Sequence, residues 1–339
     1  MRSRVLCFGE LLLRLGAPGN QMLLQTPSLE VHVGGAEANV GVALTGLGHD
    51  VAMISVVADN ALGTAASGEL RRHGVDTRLV RRGAGRMGLY FMTAGAGLRA
   101  GEVVYDRAES AFATTPADSY DWSTLLQGAQ WLHLSGVSPA LGPQAAQATL
   151  AAARAACNMG IKVSFDGNFR PRLWERWGGD AQAILRELFD CAHIVFADHR
   201  DIGVVLGGEF SQVDAQARVD AAAAVAFTAF PRLQYMACTQ RTTHSASHHS
   251  LSAMLLGRDG TRALAPAREV AGIVDRIGAG DAFAAGVLHG LMEGFDSDAA
   301  IRFGLAAGCL KHFIPGDFGP VQVADVTAVM EAGAFDVRR

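Results

Sequence analysis

The sequence predicts an α/β fold: a mostly parallel central sheet with helices on both faces, and a small β-sheet lid over one edge. Three observations carry this. Short apolar runs alternate with Ala-rich stretches of helical length, the βα rhythm of a parallel sheet buried on both sides. Two segments, 11–33 and 86–106, break that rhythm with short strands and turns. The last third changes to helix behind a glycine-rich turn.

The elements follow in order. Residues 5–8 read as a first strand, and Glu10 arrives before any signal-peptide core develops. Gly34 and Gly35 then open a helix over 36–46, followed by a strand at 51–57 and a helix at 61–73. Strands at 131–134, 163–166, 193–196 and 235–239 interleave with helices at 144–158, 181–189 and 215–227. Helices 281–293 and 298–312 close the chain, joined by a short turn. The two interruptions carry turn residues such as Ala17-Pro18-Gly19-Asn20 and Ala94-Gly95-Ala96-Gly97. Right-handed crossovers leave such hairpins no place in the main sheet, so they are expected to pair with each other as a lid. Open α/β sheets bind ligands at the carboxyl ends of their strands. A lid there excludes water from a transfer reaction. No linker rich in Pro, Gly and Ser divides the chain, so residues 1–339 are expected to form one domain with the lid as a small β subdomain.

Composition narrows the class. Net charge is −4, so no basic field invites nucleic acid or an anionic membrane. The longest apolar-looking run, 221–230, is too short to span a bilayer. Five cysteines (Cys7, Cys157, Cys191, Cys238 and Cys309) are scattered, without a CxxC and in odd number. That suits reduced thiols and a cytoplasmic location.

The stretch Asp275-Arg276-Ile277-Gly278-Ala279-Gly280-Asp281-Ala282-Phe283 sets a glycine turn, a carboxylate and the start of an apolar helix side by side. Amides of Ala279, Gly280 and Asp281 would be among the unpaired donors that open a helix, where anions are favoured. A carboxylate held there can take a proton from a hydroxyl while the amides receive charge building on a phosphoryl group. An N-capping role for Asp281 is the plainer alternative. A second motif, Gly34-Gly35-Ala36-Glu37-Ala38-Asn39, lets a ligand approach the backbone and gives Asn39 a donor and an acceptor for sugar hydroxyls. Other patterns carry less. Residues 83–88 fit GxGxxG but precede a strand, so they read as a hairpin turn. His244, His248 and His249 have no acidic or Cys partner at a usable spacing and read as a solvated loop. Neither GxxxxGK[ST] nor GxSxG occurs.

GGAEAN near the start and DRIGAGDAF near the end resemble the two signatures of the PfkB-type, ribokinase-like carbohydrate kinases, over roughly residues 4–320. The resemblance implies a three-layer αβα domain with a β lid, and ATP-dependent, Mg2+-assisted phosphorylation of a sugar hydroxyl. Asp281 would be the base, with Gly278, Ala279, Gly280 and Asp281 as the anion hole. GGAEAN, Gly88-Leu89-Tyr90, the run from Tyr105 to Ala111 and the run from Asp166 to Trp174 are similar to the 2-keto-3-deoxygluconate kinases. In that subfamily the residues matching Tyr90, Tyr105, Arg107 and Arg170 hold the substrate, and Lys311–Phe318 resembles its C-terminal Gly-Asp stretch, where the Asp, here Asp317, reaches the substrate; Gly35 and Asn39 are expected to help fix the sugar. Arginine forks suit a sugar carboxylate on physical grounds as well. Arg107 has surface pairing with Glu109 as its alternative, and Arg170 has ATP phosphate.

The nucleotide side departs from the family pattern. An Asn-x-x-Glu that organises Mg2+ is replaced by Asp198-His199-Arg200-Asp201. Asp198 and Asp201 suit a hard cation that keeps much of its water, and a helix N-cap by Asp198 competes with that reading. The usual Thr-x-Gly-x-x-Gly loop has lost its glycines in Thr239–Ser247, where Thr239 and Arg241 are the expected phosphate ligands. Asn168, Arg170, Gly278, Gly280 and Gly308 complete the expected nucleotide set. The expected partners are a small sugar acid and a second copy of the chain, met through apolar lid residues such as Leu11, Leu13 and Phe91. A kinase for a fructose- or ribose-type sugar, or a catalytically silent sugar-acid binder, remains the alternative.

Overall fold

In the first strand, β1 (Arg4–Phe8), Val5 and Cys7 leave one face of the sheet and Leu6 and Phe8 the other, and all four are buried. Apolar residues at both parities require cover on both sides. The computed structural model describes residues 3–331. After β1 come β2 (Leu12–Gly16), β3 (Glu30–Gly34), β4 (Asp50–Ala58), β5 (Val80–Gly83), β6 (Gly88–Thr93) and β7 (Glu102–Asp106). Then follow β8 (Trp131–Ser135), β9 (Lys162–Asp166), β10 (Ile194–Phe196), β11 (Tyr235–Ser245), β12 (His248–Gly257) and β13 (Arg262–Ala271). The helices are α1 (Ala36–Gly46), α2 (Ala61–Arg72), α3 (Ala111–Thr114), α4 (Trp122–Leu125), α5 (Pro143–Asn158) and α6 (Pro171–Glu175). They continue as α7 (Ala181–Cys191), α8 (His199–Leu206), α9 (Ala215–Ala229), α10 (Ala279–Met292), α11 (Ser297–Lys311) and α12 (Val323–Met330).

The large sheet runs β13-β12-β11-β10-β9-β8-β1-β4-β5, parallel from β5 to β11 and antiparallel beyond. One core cluster joins Leu6, Phe8, Leu134 and Phe165 to α5, α7 and α9. The other joins Val5, Cys7, Met53 and Phe196 to α1, α2, α10 and α11. This is the expected α/β architecture. The small sheet, β3-β2-β6-β7, is built from the two segments that break the βα rhythm.

Five local expectations are corrected. The strand expected at 235–239 does not end there: β11 runs on to Ser245 and pairs with β12 through a bulge between Thr243 and Ser245. Polar residues on its exposed face hid the strand, while the buried parity in β12 (Leu251, Ala253, Leu255) fixes the pairing. The histidines therefore lie in or beside strands, and Glu269 of β13 brings an acidic partner, its Oε2 2.6 Å from His248 Nε2 and 3.9 Å from His244 Nε2. Residues 83–88 are not a hairpin turn, because β5 belongs to the large sheet and β6 to the small one. Helix α10 starts at Ala279, two residues before the expected start, with Gly278 as N-cap in the left-handed region (φ 80°). Leu11 and Leu13, expected on an exposed lid face, are buried in the core. All five cysteines are free thiols. No helix among the described residues is long and apolar enough to cross a membrane.

Candidate active site

Asp281 is the third residue of α10, so its carboxyl lies beside the open amino end of that helix. Ala279 N–H turns back to Arg276 O at 3.3 Å. Among the described residues, no acceptor meets the amides of Gly280 or Asp281. Gly278 is obligatory here for two reasons: its positive φ, and a Cβ that would fall 2.1 Å from the Asp317 carbonyl oxygen. At Gly280 a Cβ would meet no protein atom within 4 Å, so the missing side chain leaves open space above the amides. Asp275 shapes the turn, its Oδ1 accepting from Ile277 N at 3.0 Å and its Oδ2 from Gly316 N at 3.0 Å. Burial, aided by the Asp317 charge, pushes the Asp281 carboxyl up to about 6 against a hydrogen bond from Asn39. A carboxylate poised near neutrality can act as a general base.

Helix α1 supplies the facing wall. Asn39 Nδ2 donates to Asp281 Oδ2 at 2.7 Å, and Asn39 Oδ1 is buried without a protein partner. The donor that the sequence assigns to a ligand is thus spent on Asp281, and the acceptor remains. The two glycines ahead of α1 admit protein as well as ligand: a Cβ on Gly34 would lie 2.2 Å from Asp317 Oδ2, and one on Gly35 2.2 Å from Glu10 O. Glu37 faces inward behind the cleft, where Ser138 Oγ donates to it at 2.6 Å and burial pushes its carboxyl up to about 7.

A cleft of about 800 Å3 brings together Gly35, Asn39, Tyr90, Tyr105, Arg107, Asn168, Arg170, Asp201, Thr239, Arg241, Gly278, Gly280, Asp281 and Asp317. Lid register sets Tyr90 opposite Tyr105, with ring centroids 6.4 Å apart. Tyr90 OH donates to Asp317 Oδ2 at 2.7 Å. Burial raises both the phenol and the Asp317 carboxyl above their ordinary ranges. Arg107 is buried and pairs not with Glu109 but with Glu10, Nε to Oε2 at 2.6 Å; Ser110 Oγ also donates to Glu10. Arg170 stands at the N-cap of α6 at the rim and donates to Phe169 O at 3.1 Å. Asn168, in the left-handed region (φ 37°), donates through Nδ2 to Ser135 Oγ at 2.9 Å.

Three residues expected in the site stand outside its lining. Asp198 is the N-cap of α8, accepting from Arg200 N at 2.7 Å and paired with the Arg200 guanidinium. Those contacts occupy both its oxygens. Asp201 completes that capping box through Asp198 N yet still reaches the cleft, joined by Asp166 from the end of β9. Burial and then neighbouring carboxylates push Asp166 up to about 8, and Asp201 to about 6. Carboxylates crowded in this way suit a divalent cation with retained water, so Asp166 and Asp201 fit Mg2+ better than Asp198 does. Gly308 lies at the crossing of α10 and α11, where a Cβ would sit 3.2 Å from Ala279 O and from Phe283 Cβ. Ala279 also lies off the lining, its amide engaged as described.

Five further residues were given no role from the sequence: Glu10, Arg14, Asp166, Arg276 and Lys311. Arg276 lines the cleft and a neighbouring one of about 640 Å3 under the lid. Lys311 is fully buried, with Nζ donating to Ile314 O at 2.9 Å and Asp275, Asp317 and Asp281 nearby. An Arg or Glu in a run as apolar as 5–15 is the signal that points to Glu10 and Arg14, because charges enter such runs only when paired.

Residues 2–234 and 237–316 match the family described as pfkB family carbohydrate kinase. A Haloferax volcanii protein named 2-dehydro-3-deoxygalactonokinase is 30% identical over 339 residues, covering 100% of both chains. The crystal structure of 2-dehydro-3-deoxygluconokinase from Thermotoga maritima superposes with a TM-score of 0.91 at 36% identity, covering 98% of this chain and 100% of that one. A putative 2-keto-3-deoxygluconate kinase from Enterococcus faecalis gives a TM-score of 0.91 at 29% identity, covering 99% of each chain.

Proposed function

The chain belongs to the pfkB family of carbohydrate kinases, and we propose that it transfers the γ-phosphoryl group of ATP to the primary hydroxyl of 2-keto-3-deoxygluconate or a close aldonic relative. One observation carries the reading: the Asp281 carboxyl and two unpaired amides open into the same cleft as Arg107 and Arg170. Asp281 takes the hydroxyl proton as the oxygen attacks phosphorus in line. The amides of Gly280 and Asp281 receive the charge that builds on the phosphoryl oxygens. Arg241 and Arg276 face the transferring phosphates. Asp166 and Asp201 would hold Mg2+, which when bound neutralises phosphate charge. Arg107 and Arg170 answer the substrate carboxylate, and the unpaired Asn39 Oδ1 accepts from a sugar hydroxyl. Tyr90, Tyr105 and Asp317 fix the remaining hydroxyls under the lid.

A homodimer through the lid is part of this reading. Val31, Leu15, Phe91 and Val104 form a row across the four lid strands, with Val31 58% and Val104 47% exposed. Free thiols agree with a cytoplasmic location.

The test is ADP release from ATP and Mg2+ across hexonates, 2-keto-3-deoxy hexonates, hexoses and pentoses. The six-carbon keto acids are expected to give the highest kcat/KM. A preference for neutral sugars would overturn the acid assignment, and binding of the acid without ADP release would make the chain a sensor.

A further inference from the structure

Register across the lid sets His32, Arg14, Tyr90 and Tyr105 in one row on β3, β2, β6 and β7. Arg14 is only 3% exposed and reaches two carboxylates outside the lid. Its Nη2 donates to Asp275 Oδ2 at 2.6 Å, and its Nε lies 3.1 Å from Asp317 Oδ1. The second contact is off the line of a hydrogen bond, so Asp317 Oδ1 stays without a donor although buried. Asp317 Oδ2 is held by Tyr90, the register neighbour of Arg14. Asp275 in turn binds Ile277 N and Gly316 N, which fixes the start of the anion turn and the loop that carries Asp317.

We propose that Arg14 is a positioning residue for the phosphotransfer: from the lid it holds Asp317 as an open acceptor for a sugar hydroxyl and locks Asp275 beneath the anion turn. The inference rests on the kinase reading and assigns a task to a residue outside the cleft lining. Charge balance supports it. Asp275 and Asp317 are compensated by Arg14 from the lid and by Lys311 from α11. Without Arg14, two carboxylates face one lysine, and Asp317 must either take up a proton or turn away. Either change removes the acceptor aimed at the sugar. A buried ion pair is weak evidence for a purely stabilising role, since apolar substitutes often serve stability as well. What distinguishes Arg14 is that its two partners belong to the two halves of the reaction site.

The experiment measures steady-state kinetics of full-length Arg14→Ala, Arg14→Lys, Asp317→Asn and the Arg14→Ala/Asp317→Asn double variant with 2-keto-3-deoxygluconate and ATP. Arg14→Ala is expected to lose about 10²-fold in kcat/KM for the sugar acid, with the KM for ATP near wild type. Arg14→Lys keeps the charge without the fork and should recover part of that loss. The double variant should match Asp317→Asn in sugar KM, because both changes remove one acceptor, and fall below it only in kcat, where the loosened Asp275 adds its own loss. A folded Arg14→Ala enzyme with an unchanged sugar KM overturns the proposal. So do additive rises in sugar KM in the double variant, or parallel increases in both KM values. If Arg14→Ala fails to fold, Arg14→Lys carries the test through the same selective rise in sugar KM. A wild-type enzyme inactive on every sugar acid refutes the kinase reading instead, which keeps the two failures apart.

Discussion

Replacing Asp281 with asparagine removes the proposed proton acceptor and little else. The side chain keeps its shape, and the introduced amide oxygen can still accept from Asn39 Nδ2, which now meets Asp281 Oδ2 at 2.7 Å. The wild-type carboxyl is raised from 3.8 to about 6. At about 1.4 kcal/mol per unit, that is about 3 kcal/mol of extra proton affinity, while the group remains mostly ionised at neutral pH. A positioned base of this kind is worth about 10²–10⁴ in rate. Asp281→Asn should therefore lower kcat about 10³-fold, or about 4 kcal/mol of barrier. Because the base works as its anion, wild-type kcat/KM should climb as pH rises through about 6 and level off above it. The variant should lack that limb. Coupled ADP release gives the rates, and calorimetric titration of ATP should show nucleotide affinity largely kept. Turnover within tenfold of wild type, or an acid limb that survives the substitution, would refute the assignment of Asp281 as base.

Further substitutions separate the roles of residues in and beside the cleft. Arg107→Ala strands the buried Glu10 carboxylate and should destabilise the fold by about 3–5 kcal/mol. Adding Glu10→Gln should restore the melting temperature without restoring the preference for acids over neutral sugars. Gly278→Ala must place a Cβ against Asp317 O in a left-handed turn, so it should lower the melting temperature and abolish turnover. Gly280→Ala meets open space and should melt like wild type while losing kcat, because the methyl group occupies the phosphate approach. Asp198→Ala should cost about 1 kcal/mol as a lost helix cap with the Mg2+ dependence of the rate retained, whereas Asp201→Asn should shift that dependence to higher Mg2+.

What the sequence made legible was local. The parity of β1, the apolar run of β4 and the glycine turn ahead of α10 each follow from a few neighbouring residues. The site's two halves were legible as separate motifs, and the bond between Asn39 and Asp281 closes a gap of 242 residues that neither motif reveals. Register was not legible. Arg14 reaches Asp275 only because β2 pairs with β6 in one particular alignment, and a slip of one residue would point it to the opposite face. Asp198 and Asp201 looked equivalent as a pair of carboxylates. The capping box of α8 uses both, and they are separated by the Arg200 guanidinium held on Asp198 and by the place of Asp201 in the cleft lining. Strands β12 and β13 were missed because the open face of β12 carries His248, Ser250 and Ser252, while β13 carries Arg262, Pro266, Arg268 and Glu269.

The charges left uncompensated in the cleft argue for what completes it. Asp166, Asp201 and Asp281 are all pushed upward, with burial the largest cause in each. Arg170, Arg241 and Arg276 line the same cleft, and among the described residues none of them is held in an ion pair. The protein could have neutralised these groups against one another, as it does with Arg107 and Glu10 or with Arg14 and Asp275. Leaving both signs open has an electrostatic cost that only ligands carrying both signs repay. A triphosphate with its divalent cation and a sugar bearing a carboxylate supply that combination, whereas a neutral sugar would leave Arg170 unanswered at the rim. Acid selectivity and cation dependence are on this argument two consequences of one charge pattern. Removing the Arg170 guanidinium should therefore narrow the gap in kcat/KM between sugar acids and neutral sugars while leaving the Mg2+ requirement in place.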